Sequence, residues 1–358
     1  MFLKIVHVGE YAKGGIATYI KELIEFQEKS KNIREVHLLV SETNSDKDFK
    51  LPKDKIVFYK YKRNIKSLFK AIRQINAEIN RISPDIIHVH STFAGVFVRL
   101  PLFFKKKTYK VIYCSHGWSF LMELNTFKKK IFVLIERILA TKTDKIINIS
   151  PNEQNQALKL GFPSQKSELI ANGITPKIRK GLPQLKLNSD KINLLFVGRF
   201  DRQKGLDILF SYFENYACEN ICLYTIGESV LENNEISIPK NISNLGWVDN
   251  EHLDSYYEMF DGVIIPSRWE GFGLVAIEAM KNKKPIIVSD RGALPYLIKN
   301  NNGYVFSLDD LNTLHKIFNQ INKKDLKDKG INGYQYFLNN FTSDIMNEKI
   351  VQLYEKLV

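Results

Sequence analysis

Short apolar runs, each closed by a turn rich in glycine, serine or histidine and followed by an amphipathic stretch, recur along the whole chain. The first group reads as strands at residues 3–8, 35–40, 56–60, 84–90, 110–116 and 145–150, with helices over 16–28, 65–82 and 127–141. A Gly/Pro/Lys-rich link at 173–190 interrupts the pattern. It then restarts with strands at 192–197, 221–226, 262–265 and 285–288 and helices between them. Strands that are apolar throughout need cover on both faces, and helices inserted between them provide it, so the pattern predicts parallel sheets. At 358 residues the chain has room for two such halves, each with its own core. Two α/β halves joined by a link leave a cleft, with ligands expected at the carboxyl ends of the strands.

Charge marks the same division. Residues 1–180 hold 33 Lys/Arg against 16 Asp/Glu, or +17, and residues 181–358 hold the other 19 against 23, or −4. The first half therefore expects an anionic partner. A hydrophobic fraction of 44% excludes a disordered chain. Cys114, Cys218 and Cys222 make no disulfide framework, which suits a reducing compartment. The opening MFLKIVHVG is too short and polar for a secretory signal, and no window is apolar enough to span a bilayer. The expectation is a cytoplasmic protein that touches a membrane without crossing it.

The most telling motif is PSRWEGFGLVAIEAM at 266–280, which follows the apolar run Asp261-Gly-Val-Ile-Ile265. Glu270 falls on the turn and Glu278 on the helix that follows, while Gly271 and Gly273 flank Phe272 and allow close backbone approach. The N–H groups at the start of such a helix favour an anion. Gly198-Arg199-Phe-Asp-Arg-Gln-Lys204-Gly205 also follows a strand, and its two cations suit a diphosphate as well as they suit a solvated loop. Gly14-Gly15 opens a helix after the first strand, either for phosphate approach or as a plain tight turn. His116 ends a strand before Gly117, where a histidine is either structural or a proton handler. His88 and His90 share one strand face and read as fold residues, because no third ligand stands at metal spacing. The chain has neither G-x-G-x-x-G after its first strand nor a P-loop, which argues against hydride transfer and ATP hydrolysis.

Together these segments resemble the retaining GT-B glycosyltransferases of family 4, of the bacterial surface-polysaccharide, O-antigen or capsule type. The matching pieces are GGIATYIKEL, PDIIHVHS, SHGWSF, NIS, VGRFDRQKGLDIL, PSRWEGFGLVAIEAM and PIIVSDRGALPYLI, in that family's order. The resemblance implies two Rossmann-like parallel-sheet domains facing across a cleft. Residues 1–172 would form the acceptor-side domain, 173–190 the linker and 191–335 the nucleotide-sugar domain, with 336–358 crossing back as a helix. It implies that Glu278 holds the ribose hydroxyls and that Arg199 and Lys204 hold the diphosphate. The backbone of Phe272, Gly273, Leu274 and Val275 would face the phosphate and sugar, with Gly15 against the diphosphate. Glu270 and His116 would contact the donor sugar, and Val248 the base. Glu228 departs from the small turn residue common there. No cofactor or metal is implied, since the nucleotide sugar is a substrate.

The resemblance also implies a lipid-linked acceptor, and the basic half agrees with an anionic membrane partner. Its cations lie among aromatics at Tyr59-Lys-Tyr-Lys-Arg63, Phe69-Lys70, Phe103-Phe-Lys-Lys-Lys107 and Lys128–Lys130. Nucleic acid is the rival partner on charge alone, but no nucleic-acid motif accompanies it. The competing functions are a GT-B nucleotide-sugar epimerase and a catalytically inactive nucleic-acid-binding protein.

Overall fold

The computed structural model describes residues 2–179, 181, 183, 185–216, 218–229 and 238–358. The chain divides into two compact units, Met1–Thr175 with Ser343–Val358, and Pro176–Thr342. The expected linker at 173–190 straddles this division, and its residues 180, 182 and 184 lie outside the described residues.

In the first unit the strands are β1 (Leu3–Gly9), β2 (Ile33–Ser41), β3 (Ile56–Tyr59), β4 (Ile86–His90), β5 (Lys110–Cys114), β6 (Lys145–Asn148) and β7 (Ser167–Leu169). Its helices are α1 (Gly15–Gln27), α2 (Ile65–Ile82), α3 (Thr92–Arg99), α4 (Thr126–Ala140) and α5 (Pro151–Lys159). The strands form one parallel sheet in the order β3-β2-β1-β4-β5-β6-β7. The second unit contains β8 (Ile192–Val197), α6 (Leu206–Asn215), β9 (Ile221–Ile226), β10 (Ile242–Asn244) and α7 (Leu253–Met259). It continues with β11 (Gly262–Ile265), α8 (Leu274–Lys281), β12 (Ile286–Ser289), α9 (Leu294–Leu297), β13 (Gly303–Phe306), α10 (Asn312–Gln320) and α11 (Lys323–Asn340). Its sheet is also parallel, ordered β10-β9-β8-β11-β12-β13.

In each sheet the strand order reverses at one point, between β1 and β4 and between β8 and β11. Loops diverge there and leave a crevice at the carboxyl ends, the usual ligand position in open α/β sheets. Val6, Val8, Ile87 and Val89 fill the first core and Leu194, Phe196, Ile264 and Ile287 the second, all nearly inaccessible.

Three edge strands, β7, β10 and β13, were not legible beforehand. Each has three or four residues, some polar or exposed, so none presents an apolar run. The expected single terminal helix is two. After α11 the chain turns at Phe341, whose backbone leaves the helical region, and resumes as α12 (Ser343–Glu355). The return to the first unit therefore falls at Thr342/Ser343, later than residue 336, because α11 runs on to Asn340 as part of the second unit. There Ser343 N–H donates to the Ile174 carbonyl at 2.9 Å. Further along α12, Asn347 Nδ2 donates to the Glu22 carbonyl at 3.1 Å and Asn32 Nδ2 to Glu355 Oε1 at 2.6 Å, joining α12 to α1 and its neighbouring turn.

Helix α4 is anchored by a buried charge pair. Arg99 and Glu136 meet at 2.9 Å with almost no exposure, Tyr113 hydroxyl donates to the second Glu136 oxygen at 2.9 Å, and the Arg99 guanidinium lies 3.7 Å from the Tyr113 ring centre. Removing one partner would leave a buried uncompensated charge, which fixes the rotation of α4 about its axis. That rotation turns Phe127, Ile131, Leu134, Ile135 and Ile138 to solvent.

Candidate active site

Two loops meet at the switch point of the second sheet. The loop after β8 carries Gly198 through Gly205 and the loop after β11 carries Pro266 through Gly273. Arg268 N–H donates to the Gln203 carbonyl at 2.8 Å, and Gln203 Nε2 to the Trp269 carbonyl at 3.2 Å. Gly205, at φ 70°, caps α6, and any side chain there would collide with the Pro266 carbonyl oxygen. The loops thus hold each other in register, and the register brings Lys204 Nζ to 2.9 Å from Glu270 Oε2. The pair is largely shielded, with side-chain exposures of 18% and 12%. Arg199 lies farther out, 3.0 Å from Asp201 and donating to Gln203 Oε1 at 3.2 Å.

Gly273, at φ 103°, sits at the N-cap of α8, which has no side-chain cap. Phe272 is buried with its ring edge-on to Phe341, so its backbone, not its side chain, is what the loop can present. Leu274 and Val275 begin the helix and Glu278 follows one turn later. Tyr257 hydroxyl donates to Glu278 Oε2 at 3.0 Å. Burial raises the Glu278 pKa, and the tyrosine bond and nearby cations offset only part of that shift. Val248 lines a separate pocket of about 410 Å³ with Pro183, Trp247, Asp249, His252 and Tyr256.

The first sheet ends differently at its switch point. Gly14, at φ 57°, precedes α1, which also lacks a side-chain cap, and Gly15 is the exposed first residue of the helix. The left-handed backbone requirement therefore falls on Gly14 rather than Gly15. His116 follows β5 at φ 54°, a conformation that costs a residue with a side chain of order 1–3 kcal/mol. Its Nε2 is 2.9 Å from His90 Nδ1, and His90 Nε2 is 3.0 Å from His7 Nδ1. His7 Nε2 in turn lies 2.8 Å from Gln27 Oε1 on α1. Burial lowers the pKa of His7 to about 4 and of His116 to about 3, and puts His88 and His90 well below the ordinary value. All four are neutral imidazoles at pH 7.

Parallel pairing sets His7 directly beside His88, and His90 lies two residues along the same face. The third histidine at metal spacing, which the sequence did not reveal, is thus His7, and ring nitrogens of His7, His88 and His90 lie within 4.8 Å of one another. Both nitrogens of His7 and of His90 are engaged in hydrogen bonds, and His88 Nδ1 lies 2.6 Å from Tyr354 hydroxyl, so the cluster is a polar network.

Comparison with known proteins follows the same two-part division. The model for Glycosyltransferase Family 4 matches residues 13–177, and that for Glycosyl transferases group 1 matches 178–334. A 41.2 kDa protein from the cps region of Klebsiella pneumoniae is 34% identical over 363 residues, covering 99% of each chain. The chain belongs to the GT-B glycosyltransferases. An Escherichia coli relative, the O-antigen biosynthesis glycosyltransferase WbnH, is 29% identical and covers 83% of this glycosyltransferase and 84% of its own length. Another from Escherichia coli, a UDP-Gal:alpha-D-GlcNAc-diphosphoundecaprenol alpha-1,3-galactosyltransferase, is 25% identical over 76% of each chain. The fold matches sucrose-phosphate synthase from Thermosynechococcus elongatus with a TM-score of 0.84 at 21% identity, over 99% of each chain. It matches Anabaena HepE, solved with UDP, with a TM-score of 0.80 at 16% identity, over 99% of this chain and 100% of that one.

Of the residues singled out in the sequence, Arg199, Lys204, Glu270, Phe272, Gly273, Leu274, Val275 and Glu278 of this glycosyltransferase cluster on the loops and helix around one switch point. Val248 stands apart at its own pocket, and His116 and Gly15 belong to the first unit. Sequence reasoning missed Tyr257, which orients Glu278, and Gly292, whose missing side chain lets Ala293 N–H reach the Glu270 carbonyl at 3.0 Å. Gly292 stood in the quoted motif PIIVSDRGALPYLI without a role, whereas Tyr257 left no local signal.

Proposed function

We propose that this glycosyltransferase moves a hexosyl or N-acetylhexosaminyl group from a nucleotide diphosphate sugar to a lipid-linked or growing polysaccharide acceptor. The donor is a UDP-sugar by preference, with GDP-mannose the alternative, and transfer proceeds with retention and without a metal ion. The observation that carries the reading is the Lys204–Glu270 pair beside the uncapped start of α8. Lys204 offers an ammonium to a phosphate and Glu270 a carboxylate to a sugar hydroxyl, 2.9 Å apart. A ligand that joins a phosphate to a sugar satisfies both at once. One relative's role in O-antigen biosynthesis and another's diphosphoundecaprenol acceptor support the acceptor class, and UDP in the HepE structure supports the nucleotide.

Breaking the anomeric carbon–oxygen bond leaves negative charge on the departing nucleoside diphosphate and positive character on the sugar. Lys204, Arg199 and the backbone N–H groups of Leu274 and Val275 stabilise the first, as charges set in place before the reaction. Glu278 takes the ribose hydroxyls, held by Tyr257. Glu270 positions the sugar while the acceptor attacks from the leaving-group side, and His116 touches the sugar near its reacting carbon. Nucleotide release from a panel of sugar nucleotides in EDTA, with and without membrane lipid acceptor, tests the reading. Release that depends on acceptor from one UDP-sugar is the expected result. Interconversion of the sugar without release would mean an epimerase, and RNA binding with no turnover would mean an inactive scaffold.

The acceptor's lipid implies a peripheral membrane contact, and α4 supports one. Phe127, Ile131, Leu134, Ile135 and Ile138 repeat at helical spacing on its exposed face beside Lys128 and Lys130, and Phe104 is 87% exposed. Lys66, Lys70 and Arg73 of α2 are exposed as well, while Leu68, Ile72 and Ile75 turn inward. The double change Ile131→Asp with Leu134→Asp should abolish sedimentation with vesicles rich in anionic lipid. Unchanged sedimentation would remove α4 from the contact.

A further inference from the structure

The four histidines at the switch point of the first sheet form a directed chain, and its direction follows from one amide. Gln27 Oε1 has no proton to give, so at 2.8 Å His7 Nε2 must donate to it. A neutral imidazole carries one proton, so His7 Nδ1 is a bare acceptor and His90 Nε2 donates to it at 3.0 Å. His90 Nδ1 is then an acceptor too, and His116 Nε2 donates to it at 2.9 Å. His116 is left with its proton on Nε2, and its Nδ1, without a partner among the described residues, is a lone-pair acceptor. Reversing the Gln27 amide would reverse every bond in the series and place the proton on His116 Nδ1.

We propose that Gln27 is a positioning residue that fixes the tautomer of His116 through His7 and His90, so that His116 presents Nδ1 as an acceptor for a donor-sugar hydroxyl. This rests on the assignment of His116 to the donor sugar. The Gln27 amide has a second contact that is compatible with this orientation. Its Nε2 donates to Tyr354 hydroxyl at 3.4 Å, and Tyr354 hydroxyl lies 2.6 Å from His88 Nδ1. Tyr354 belongs to α12, the segment that returns to the first unit. The returning helix thus places a hydroxyl beside the amide, able to accept from Nε2 in the orientation that the chain requires. The chain works only with neutral rings, which burial ensures at pH 7.

The test reads the tautomer directly. Long-range proton–nitrogen spectra of the full-length protein labelled with ¹⁵N-histidine should show His116 protonated on Nε2 alone, assigned by comparison with His116→Asn. In Gln27→Met, which keeps the volume and loses the amide, both tautomers of His116 should appear. Its kcat for nucleotide release should fall about tenfold with the donor KM held within about twofold, the scale of one misdirected hydrogen bond. Tyr354→Phe, a near-isosteric change, should give a smaller shift in the same direction and guards against misfolding of the first variant. A wild-type His116 protonated on Nδ1 would overturn the proposal, as would an unchanged tautomer in both variants. If the tautomers respond as stated but no sugar nucleotide is turned over, the functional assignment fails and the histidine chain stands.

Discussion

The two sheets share a parallel design and a single reversal of strand order, yet their switch points differ in electrical character. The first gathers four uncharged imidazoles, and the second gathers Lys204, Glu270, Arg199 and Asp201 as ion pairs. Burial is the physical reason. His7, His88 and His90 are fully inaccessible, and ionising any of them there would cost more than its neighbours return. Lys204 and Glu270 retain some solvent and lie 2.9 Å apart as an ion pair. A neutral network can orient hydrogen bonds, whereas the cations of the second site suit an anionic ligand.

Lys204→Ala should break this contrast most strongly. It removes the central cation of the second site, and transfer should fall by about two to three orders of magnitude, the scale of one lost preorganised donor. The melting temperature should fall modestly, since Glu270 loses its partner but keeps some contact with solvent. Near-normal nucleotide release would remove Lys204 from the mechanism.

Acid should separate the units next. In the unfolded chain the histidines titrate near 6.5, whereas folded His7 titrates near 4 and His116 near 3. The unfolded state therefore binds more protons below pH 6.5, and the first unit loses stability as pH falls from there toward 4. His7 alone accounts for about 3 kcal/mol of that loss. Glu153, raised to about 7 by burial, acts in the opposite sense between pH 7 and 4.5, but it is one group against four histidines. Hydrogen exchange followed peptide by peptide from pH 7.5 to 4.5 should show β1, β4 and α1 opening before β8 and β11. Equal acid sensitivity of both units would contradict the neutral-network account.

The smallest effect sharpens the second site. Tyr257→Phe leaves Glu278 buried without its donor, so its carboxyl pKa should rise further. The donor KM should increase about threefold to tenfold, on the scale of one hydrogen bond of about 1 kcal/mol. The increase should shrink as pH falls, because burial already raises the wild-type carboxyl pKa and favours its protonation. A change in kcat with KM constant would place Glu278 outside ribose binding.

The sequence by itself determined the two parallel-sheet halves and the positions of the loops at strand ends. It also placed Arg199, Lys204 and Glu270 on those loops and Glu278 on the helix that follows. These features are local: an apolar run, the glycine that ends it, and the helix that follows are set by neighbours in the chain. Tertiary structure decided the partners. Lys204 and Glu270 are 66 positions apart, and the three buried histidines come from β1 and β4, which are 81 positions apart at the His7–His88 pair. Strand order and register determine which side chains share a face, and neither is written in the spacing within one strand. Gln27 and Tyr354, 327 positions apart, meet because α12 lies against α1. Two residues that look like ordinary helix positions in the sequence therefore come to lie at a histidine chain only once the fold is closed.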